Sequence, residues 1–94
     1  EERNFFVLAY DITEDKRRAK IAKLMESIGS RVQGSVFEAY LQKKELEALI
    51  KKSNRILDKD EDSLRVYFLC ETCRAKIAMH GKGRLTPPPG VMIV

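Results

Sequence analysis

The residues best suited to chemistry stand together near the N-terminus, in the stretch YDITEDKRR. Asp11 directly follows an apolar run, and three consecutive cations begin at Lys16. Mg²⁺ prefers carboxylate oxygens and keeps several waters, so it needs few protein ligands. A metal held there could activate water and polarise a phosphate. An aspartate after a strand can also simply form a turn, and the spacing alone leaves both interpretations open.

A basic helix face is the second candidate feature. Lys16, Lys20 and Lys23 recur at i, i+4 and i+7, which places them on one stripe of a helix. Phosphate oxygens accept such donors whatever the base, and the net charge of +4 favours a polyanionic partner. An ordinary solvated helix surface is an equally good explanation. The candidate phosphate contacts are Lys16, Arg17, Arg18, Lys20 and Arg31.

Other polar groups fit known sites less well. Cys70 and Cys73 form a single CxxC, which supplies two ligands where a structural zinc site uses four. We expect two reduced thiols at the end of a strand, with a redox pair or a site shared between two protomers as alternatives. His80 has no standard ligand spacing. Residues 58–62 lack the glycine and the final glutamate of a calcium loop, so we predict a solvated acidic turn.

The elements that must position these residues follow from periodicity. Apolar residues at i, i+3, i+4 and i+7 predict two helices, and β-branched or aromatic runs predict four strands. We expect Thr13 to cap the first helix and Gly29 to end it. Gly34 marks a break between two strands. The predictions are strand 5–10, helix 14–28, two strands within 31–41, helix 43–57, loop 58–63 and strand 64–70.

This order predicts an α+β fold with a ferredoxin-like βαββαβ arrangement, in one domain over residues 1–94. Two helices cover one face of the sheet, yet the first and last strands are apolar on both faces. The simplest cover for the second face is another copy of the same sheet, related by a two-fold axis. Such a homodimer would bring two copies of Asp11 near one axis.

The chain ends with a proline triplet and an apolar segment. Residues 84–94 read as a Pro-rich spacer followed by a terminal strand, 91–94, which must pair with its own sheet or a partner's. No run has the length of a membrane span, and no secretory signal is recognisable. We therefore expect a cytoplasmic protein without a membrane partner.

Four stretches together resemble CRISPR-associated protein 2, the small subunit of the CRISPR spacer-acquisition machinery. The resemblance covers nearly the whole chain, in order and at compatible spacing. Each stretch alone is weak evidence for the family, whereas the four stretches together are specific to it. The stretches are YDITEDKRR, RVQGSVFEAYL, EDSLRVYFLC and PPPGVMIV.

The resemblance implies a homodimer packed through its sheets, with the C-terminal strand swapped onto the partner's sheet. It also implies that Asp11 is the magnesium-binding catalytic residue of an endonuclease site at the dimer axis. Members of this family are described as acting on single-stranded RNA or on double-stranded DNA. The alternative is a non-catalytic scaffold that binds duplex DNA and bridges dimers of the CRISPR integrase, CRISPR-associated protein 1. A toxin-type ribonuclease of the same architecture is a further alternative.

The resemblance also assigns residues around that site. Lys20 stands where some relatives have arginine, which keeps the charge but loses the bidentate fork. Gln42 is a poorer helix cap than the Ser, Thr or Asp common at this position. The residues matching the family's site or its nucleic-acid contacts are Tyr10, Arg18, Arg31, Ser35 and Phe37.

Overall fold

The computed structural model describes residues 2–83 and 86–87, which form a four-stranded antiparallel sheet with two helices on one face. The strands lie in the order β2-β3-β1-β4. This is the predicted ferredoxin-like arrangement. The elements are β1 (Asn4–Asp11), α1 (Asp15–Glu26), β2 (Ser30–Gln33), β3 (Val36–Leu41), α2 (Lys43–Ile56), β4 (Ser63–Leu69) and a short α3 (Glu71–Arg74), which the sequence pattern does not predict.

The central strand β1 is paired on both sides, with β3 and with β4. Its alternate residues Phe6, Leu8 and Tyr10 face the helices and are buried. Ile21 and Met25 of α1 pack against them without solvent exposure, as the helical period predicts. The core therefore lies between one face of the sheet and the two helices. None of the helices formed by the described residues has the length and apolar character that a membrane span requires.

Both ends of α1 differ from the prediction. Glu14, rather than Thr13, is the N-cap, because its carboxylate accepts the backbone N–H groups of Lys16 (2.8 Å) and Arg17 (3.0 Å). The helix ends at Glu26, two residues earlier than predicted.

Gly29 does not provide the expected left-handed stop, since its φ is not positive. A Cβ there would lie 2.5 Å from the carbonyl oxygen of Glu38 and 2.9 Å from the Cβ of Ala39. The glycine is therefore required by the close approach of the chain to β3.

The N-terminus of α2 is stabilised by a side chain from its own first turn. Glu45 accepts the backbone N–H of Gln42 at 2.8 Å, which is one half of a capping box. That Gln42 caps less well than Ser, Thr or Asp stays a prediction, while the pairing with Glu45 three residues later supports the start of the helix. Gly34 has a φ of +35° and forms the tight turn of the predicted β2–β3 hairpin. A register shift between Arg31 and Gln33 bends β2 there.

The sheet face opposite the helices, here called the open face, is partly covered by the chain itself. The guanidinium of Arg74 lies 5.4 Å from the ring centroid of Phe5 and 5.5 Å from that of Tyr40. Glu38, which is buried, accepts a hydrogen bond from the hydroxyl of Thr86 at 2.6 Å. The segment after β4 thus covers the end of this face near Phe5, and the rest of the face is left for the predicted second copy. The predicted strand 91–94 and most of the spacer 84–94 lie outside the described residues.

Candidate functional site

Asp11 is the last residue of β1 and is exposed. It pairs with Ser63 at the start of β4. Because strand residues alternate and Tyr10 faces the helices, Asp11 belongs to the open face. No described residue forms a hydrogen bond or an ion pair with its carboxylate. The Asp11 carboxylate is thus accessible to a ligand and has no structural partner in this part of the chain.

A cleft of about 410 Å³ lies on the helix side of the same end of the sheet. Four residues that the resemblance assigned to the site line it: Tyr10, Arg18, Arg31 and Ser35. Residues distant in sequence thus converge here. Asp11 follows Tyr10 directly but belongs to the opposite face, so the cleft and the carboxylate flank the end of β1 from two sides.

The two arginines of the cleft also have partners within the chain. Arg18 donates hydrogen bonds to the carbonyl oxygens of Ile12 (3.0 Å) and Thr13 (3.2 Å) and pairs with Asp15. These carbonyls belong to the loop that directly follows Asp11, so Arg18 braces that loop. The Arg18 side chain remains 44% exposed to solvent.

Arg31 donates to Glu26 at 3.0 Å, and its guanidinium lies 5.1 Å from the ring centroid of Phe37. Phe37 has no exposed surface, and its ring stacks against Tyr10 at 6.2 Å between centroids. Burial prevents direct contact between Phe37 and a nucleic acid. The structure gives Phe37 a packing role beneath Tyr10 and Arg31, in place of the predicted contact.

The predicted lysine stripe on α1 is present. Lys16, Lys20 and Lys23 are all exposed, and none forms a salt bridge with the described residues. Unpaired ammonium groups on one stripe are available to a phosphate backbone. Of the predicted contacts, Lys16 and Lys20 are therefore the freest cations.

Arg17 has a different role from these lysines. It donates through Nε to Asp62 at 2.7 Å and through Nη2 to Glu61 at 3.3 Å. The Asp62 side chain has no solvent exposure, and its Oδ2 also accepts the backbone N–H of Asp58 at 2.9 Å. The hydrogen bond from Arg17 is the largest cause that holds the pKa of Asp62 below its usual value. The prediction of a solvated acidic turn is therefore wrong for Asp62. The same pairing disfavours the nucleic-acid contact that was predicted for Arg17.

The described residues of one chain do not form a complete metal site. Among residues 2–83 and 86–87, no three His, Cys, Asp or Glu side chains cluster in a way that could hold a metal ion. At the predicted place, Asp11 offers a carboxylate that has no partner in the described part of the chain. This donor suits Mg²⁺, which binds through one or two carboxylates and keeps several waters. One chain would therefore supply a single carboxylate ligand to the ion, or two copies of the chain would supply one each.

Sequence reasoning missed two residues on the face that carries Asp11. Arg65 pairs with Ala9, and Tyr67 pairs with Val7, so both belong to the open face. The Arg65 guanidinium donates to the Tyr67 hydroxyl at 3.3 Å, which is the main cause that raises the pKa of Arg65. The alternation within LRVYFLC was the signal that could have placed them beside Asp11.

Comparison with known proteins identifies close relatives. The family model described as CRISPR associated protein Cas2 matches residues 4–77. The chain is 45% identical over 89 residues to "CRISPR-associated endoribonuclease Cas2 3" of Synechocystis sp., which covers 95% of this chain and 97% of that protein.

Two solved structures share the fold. A hypothetical protein from Thermus thermophilus matches with a TM-score of 0.79 and 41% identity, over 88% of this chain and 96% of that one. A chain of a partial Cas6-RT-Cas1–Cas2 complex matches with a TM-score of 0.79 and 26% identity, over 97% of this chain and 99% of that one.

Proposed function

The chain belongs to the CRISPR associated protein Cas2 family, and we propose from this premise that it is a metal-dependent endonuclease of CRISPR spacer acquisition. The observation that carries the proposal is Asp11, an exposed carboxylate at the end of the central strand that has no partner among the described residues. A cleft lined by two arginines lies at the same end of the sheet, on its helix side. The name of the Synechocystis relative, an endoribonuclease, supports the reaction class. The substrate class is a phosphodiester of single-stranded RNA or double-stranded DNA.

The basic residues around Asp11 have separate roles in the proposed reaction. Lys16 and Lys20 attract and position the phosphate backbone from the outer stripe of α1. Arg31 and the exposed part of Arg18 contact a phosphate in the cleft. Arg18 also holds the loop after Asp11 through two carbonyls, which keeps the carboxylate at the strand end.

Asp11 would hold magnesium, which when bound lowers the pKa of a coordinated water and neutralises charge on the phosphate. Because Mg²⁺ requires oxygens at about 2.0–2.1 Å, two Asp11 carboxylates held much farther apart would need bridging waters. We expect that second arrangement in a resting dimer.

We also propose a homodimer that packs through the open face, with CRISPR-associated protein 1 as a further partner. Val7, Ala9 and Tyr67 lie on this face, and Tyr67 is 46% exposed in the single chain. Such apolar surface is a reason for association. The matched chain in the Cas1–Cas2 complex supports the choice of the larger partner.

The nuclease proposal is tested by measuring the cleavage of single-stranded RNA and of double-stranded DNA by wild type and by Asp11→Asn. Each measurement is made with magnesium and with EDTA. We expect magnesium-dependent cleavage that falls by at least about 100-fold in Asp11→Asn, because changing even the partner of a metal ligand typically costs about 10–100-fold. Asp60→Asn is the matched control, since it removes the same charge from another exposed carboxylate. Equal cleavage by the two variants would reject the assignment.

The alternative is a scaffold that binds duplex DNA without cutting it, and the unpaired lysines of α1 favour it. Here Lys16→Ala/Lys20→Ala should weaken duplex binding and reduce the slope of log affinity against log salt by about 1 per lysine. Lys51→Ala/Lys52→Ala on α2 is the matched control. Loss of binding in the α1 variant, with no cleavage by wild type, would favour the scaffold.

A further inference from the structure

The cysteine pair lies outside the proposed nuclease site. Cys70 directly follows β4 and is the N-cap of α3, and Cys73 lies within that helical turn. Both thiols are free and exposed. We propose that Cys70 and Cys73 are a reversible dithiol–disulfide site that reacts with low-molecular-weight disulfides.

The backbone holds the two residues at a separation that suits a disulfide. The backbone N–H of Arg74 donates to the carbonyl of Cys70 at 2.9 Å, which closes one helical turn. Residues three apart on such a turn have Cα atoms about 5 Å apart, within the roughly 4.4–6.8 Å that a disulfide spans. An internal disulfide can therefore form without unfolding the turn.

The turn is also fixed at both ends. Cys70 adjoins Leu69, which is paired with Phe5 in the sheet. Arg74 follows Cys73 directly, and its guanidinium lies over the ring of Phe5, 5.4 Å from the centroid. Because the residues on either side of the turn both contact Phe5, the Cys73 thiol stays near the Cys70 sulfur throughout the exchange.

The surroundings give the two sulfurs different roles. The backbone N–H of Cys73, followed by its thiol, lowers the pKa of Cys70, while the Cys70 thiol raises the pKa of Cys73. The thiolate is the nucleophile in exchange reactions. Cys70 is therefore the attacking residue and Cys73 the resolving one.

The exchange balances in two steps. The Cys70 thiolate attacks one sulfur of glutathione disulfide, the S–S bond breaks, and one glutathione thiolate leaves with the bonding electrons. Cys73 then loses its proton to solvent, its sulfur attacks the Cys70 sulfur, and the second glutathione thiolate leaves. The protein dithiol is oxidised to a disulfide, and one glutathione disulfide is reduced to two glutathiones.

The experiment equilibrates the full chain with mixtures of reduced and oxidised glutathione and measures intact mass under acid quench. For wild type we expect the loss of two hydrogen atoms per chain, reversed by excess reduced glutathione and without a covalent link between chains. Cys73→Ser should instead accumulate one glutathionyl group, which peptide mapping places on Cys70. Cys70→Ser should react more slowly than Cys73→Ser.

Three outcomes would overturn the proposal. One is a wild-type chain that carries glutathione on each cysteine without an internal disulfide. Another is a chain-to-chain disulfide as the main product. The third is retention of zinc by reduced wild type, at a ratio of four cysteines to one ion, which would assign the pair to a metal site shared by two chains. None of these outcomes depends on nuclease activity, because the readout is mass and metal content.

Discussion

Asp11 and Asp62 have the same functional group and lie close together, because Asp11 pairs with the residue that follows Asp62. Their environments are opposite. The Asp62 side chain has no solvent exposure and is paired with Arg17 at 2.7 Å, whereas Asp11 is exposed and has no described partner. The first carboxylate is committed to the fold. The second is available to a ligand, and this difference underlies the proposal that Asp11 is the metal ligand.

Gly29 follows α1 at a point where the chain passes close to β3. Gly29→Ala should reduce the free energy of unfolding by about 1–3 kcal/mol, the typical cost of overpacking. The reason is that the new Cβ would meet the backbone of β3 at Glu38, which cannot move aside as a side chain could. Urea unfolding monitored by circular dichroism measures the change. Ser30→Ala, at the next and exposed position, is the control, and an equal effect from both would contradict the close-approach explanation.

Between elements, the pair of Arg17 and Asp62 joins α1 to the loop before β4. The hydrogen bond from Arg17 lowers the pKa of Asp62 from its ordinary 3.8, so this carboxylate stabilises the fold above that pH. The contribution is lost as the pH falls below 3.8 and through the value in the folded state. We therefore expect Asp62→Asn to be less stable than wild type at neutral pH, with a difference that shrinks under acid.

Chemical unfolding at a series of pH values measures this difference. Asp60→Asn serves as the control, because Asp60 is exposed and forms no salt bridge with the described residues. A constant gap between wild type and Asp62→Asn from neutral to acid pH would show that the Arg17 pair is not its cause.

The regular elements were predictable because each depends on a local pattern. The helical period of α1, the hairpin glycine Gly34 and the apolar run of β1 were confirmed. The cap at Glu14 could not be separated from Thr13, since both side chains can accept a backbone N–H. The short helix α3 was missed because one turn is too short to show a period.

The site was predictable only in part, because its side chains also have partners that are distant in sequence. The resemblance chose Tyr10, Arg18, Arg31 and Ser35, and these line one cleft. It could not reveal that Arg17 pairs with an aspartate 45 residues away.

For the whole molecule, the open face determines how the chain can associate. The segment after β4 covers the end near Phe5, so the remaining surface around Val7, Ala9 and Asp11 is where a second copy would pack. Val7→Lys places a charge in that surface and should shift a dimer toward monomer by at least about tenfold in dissociation constant, since taking a charge out of water is costly even opposite Glu38. Analytical ultracentrifugation measures the shift.

Ala48→Lys, on the exposed side of α2, is the matched control for this substitution. Thermal melts of both variants show whether the monomer still folds. A folded Val7→Lys protein that dimerises like wild type would place the interface elsewhere.

Metal binding at Asp11 can be observed directly with paramagnetic Mn²⁺ in place of Mg²⁺. Amide signals would be followed by NMR in wild type and in Asp11→Asn at low Mn²⁺ concentration. We expect the signals of Asp11, Ile12 and Ser63 to broaden first in wild type and to remain sharp in Asp11→Asn. Broadening that starts instead in the acidic loop around Asp58 and Asp60, and is unchanged by Asp11→Asn, would contradict the claim.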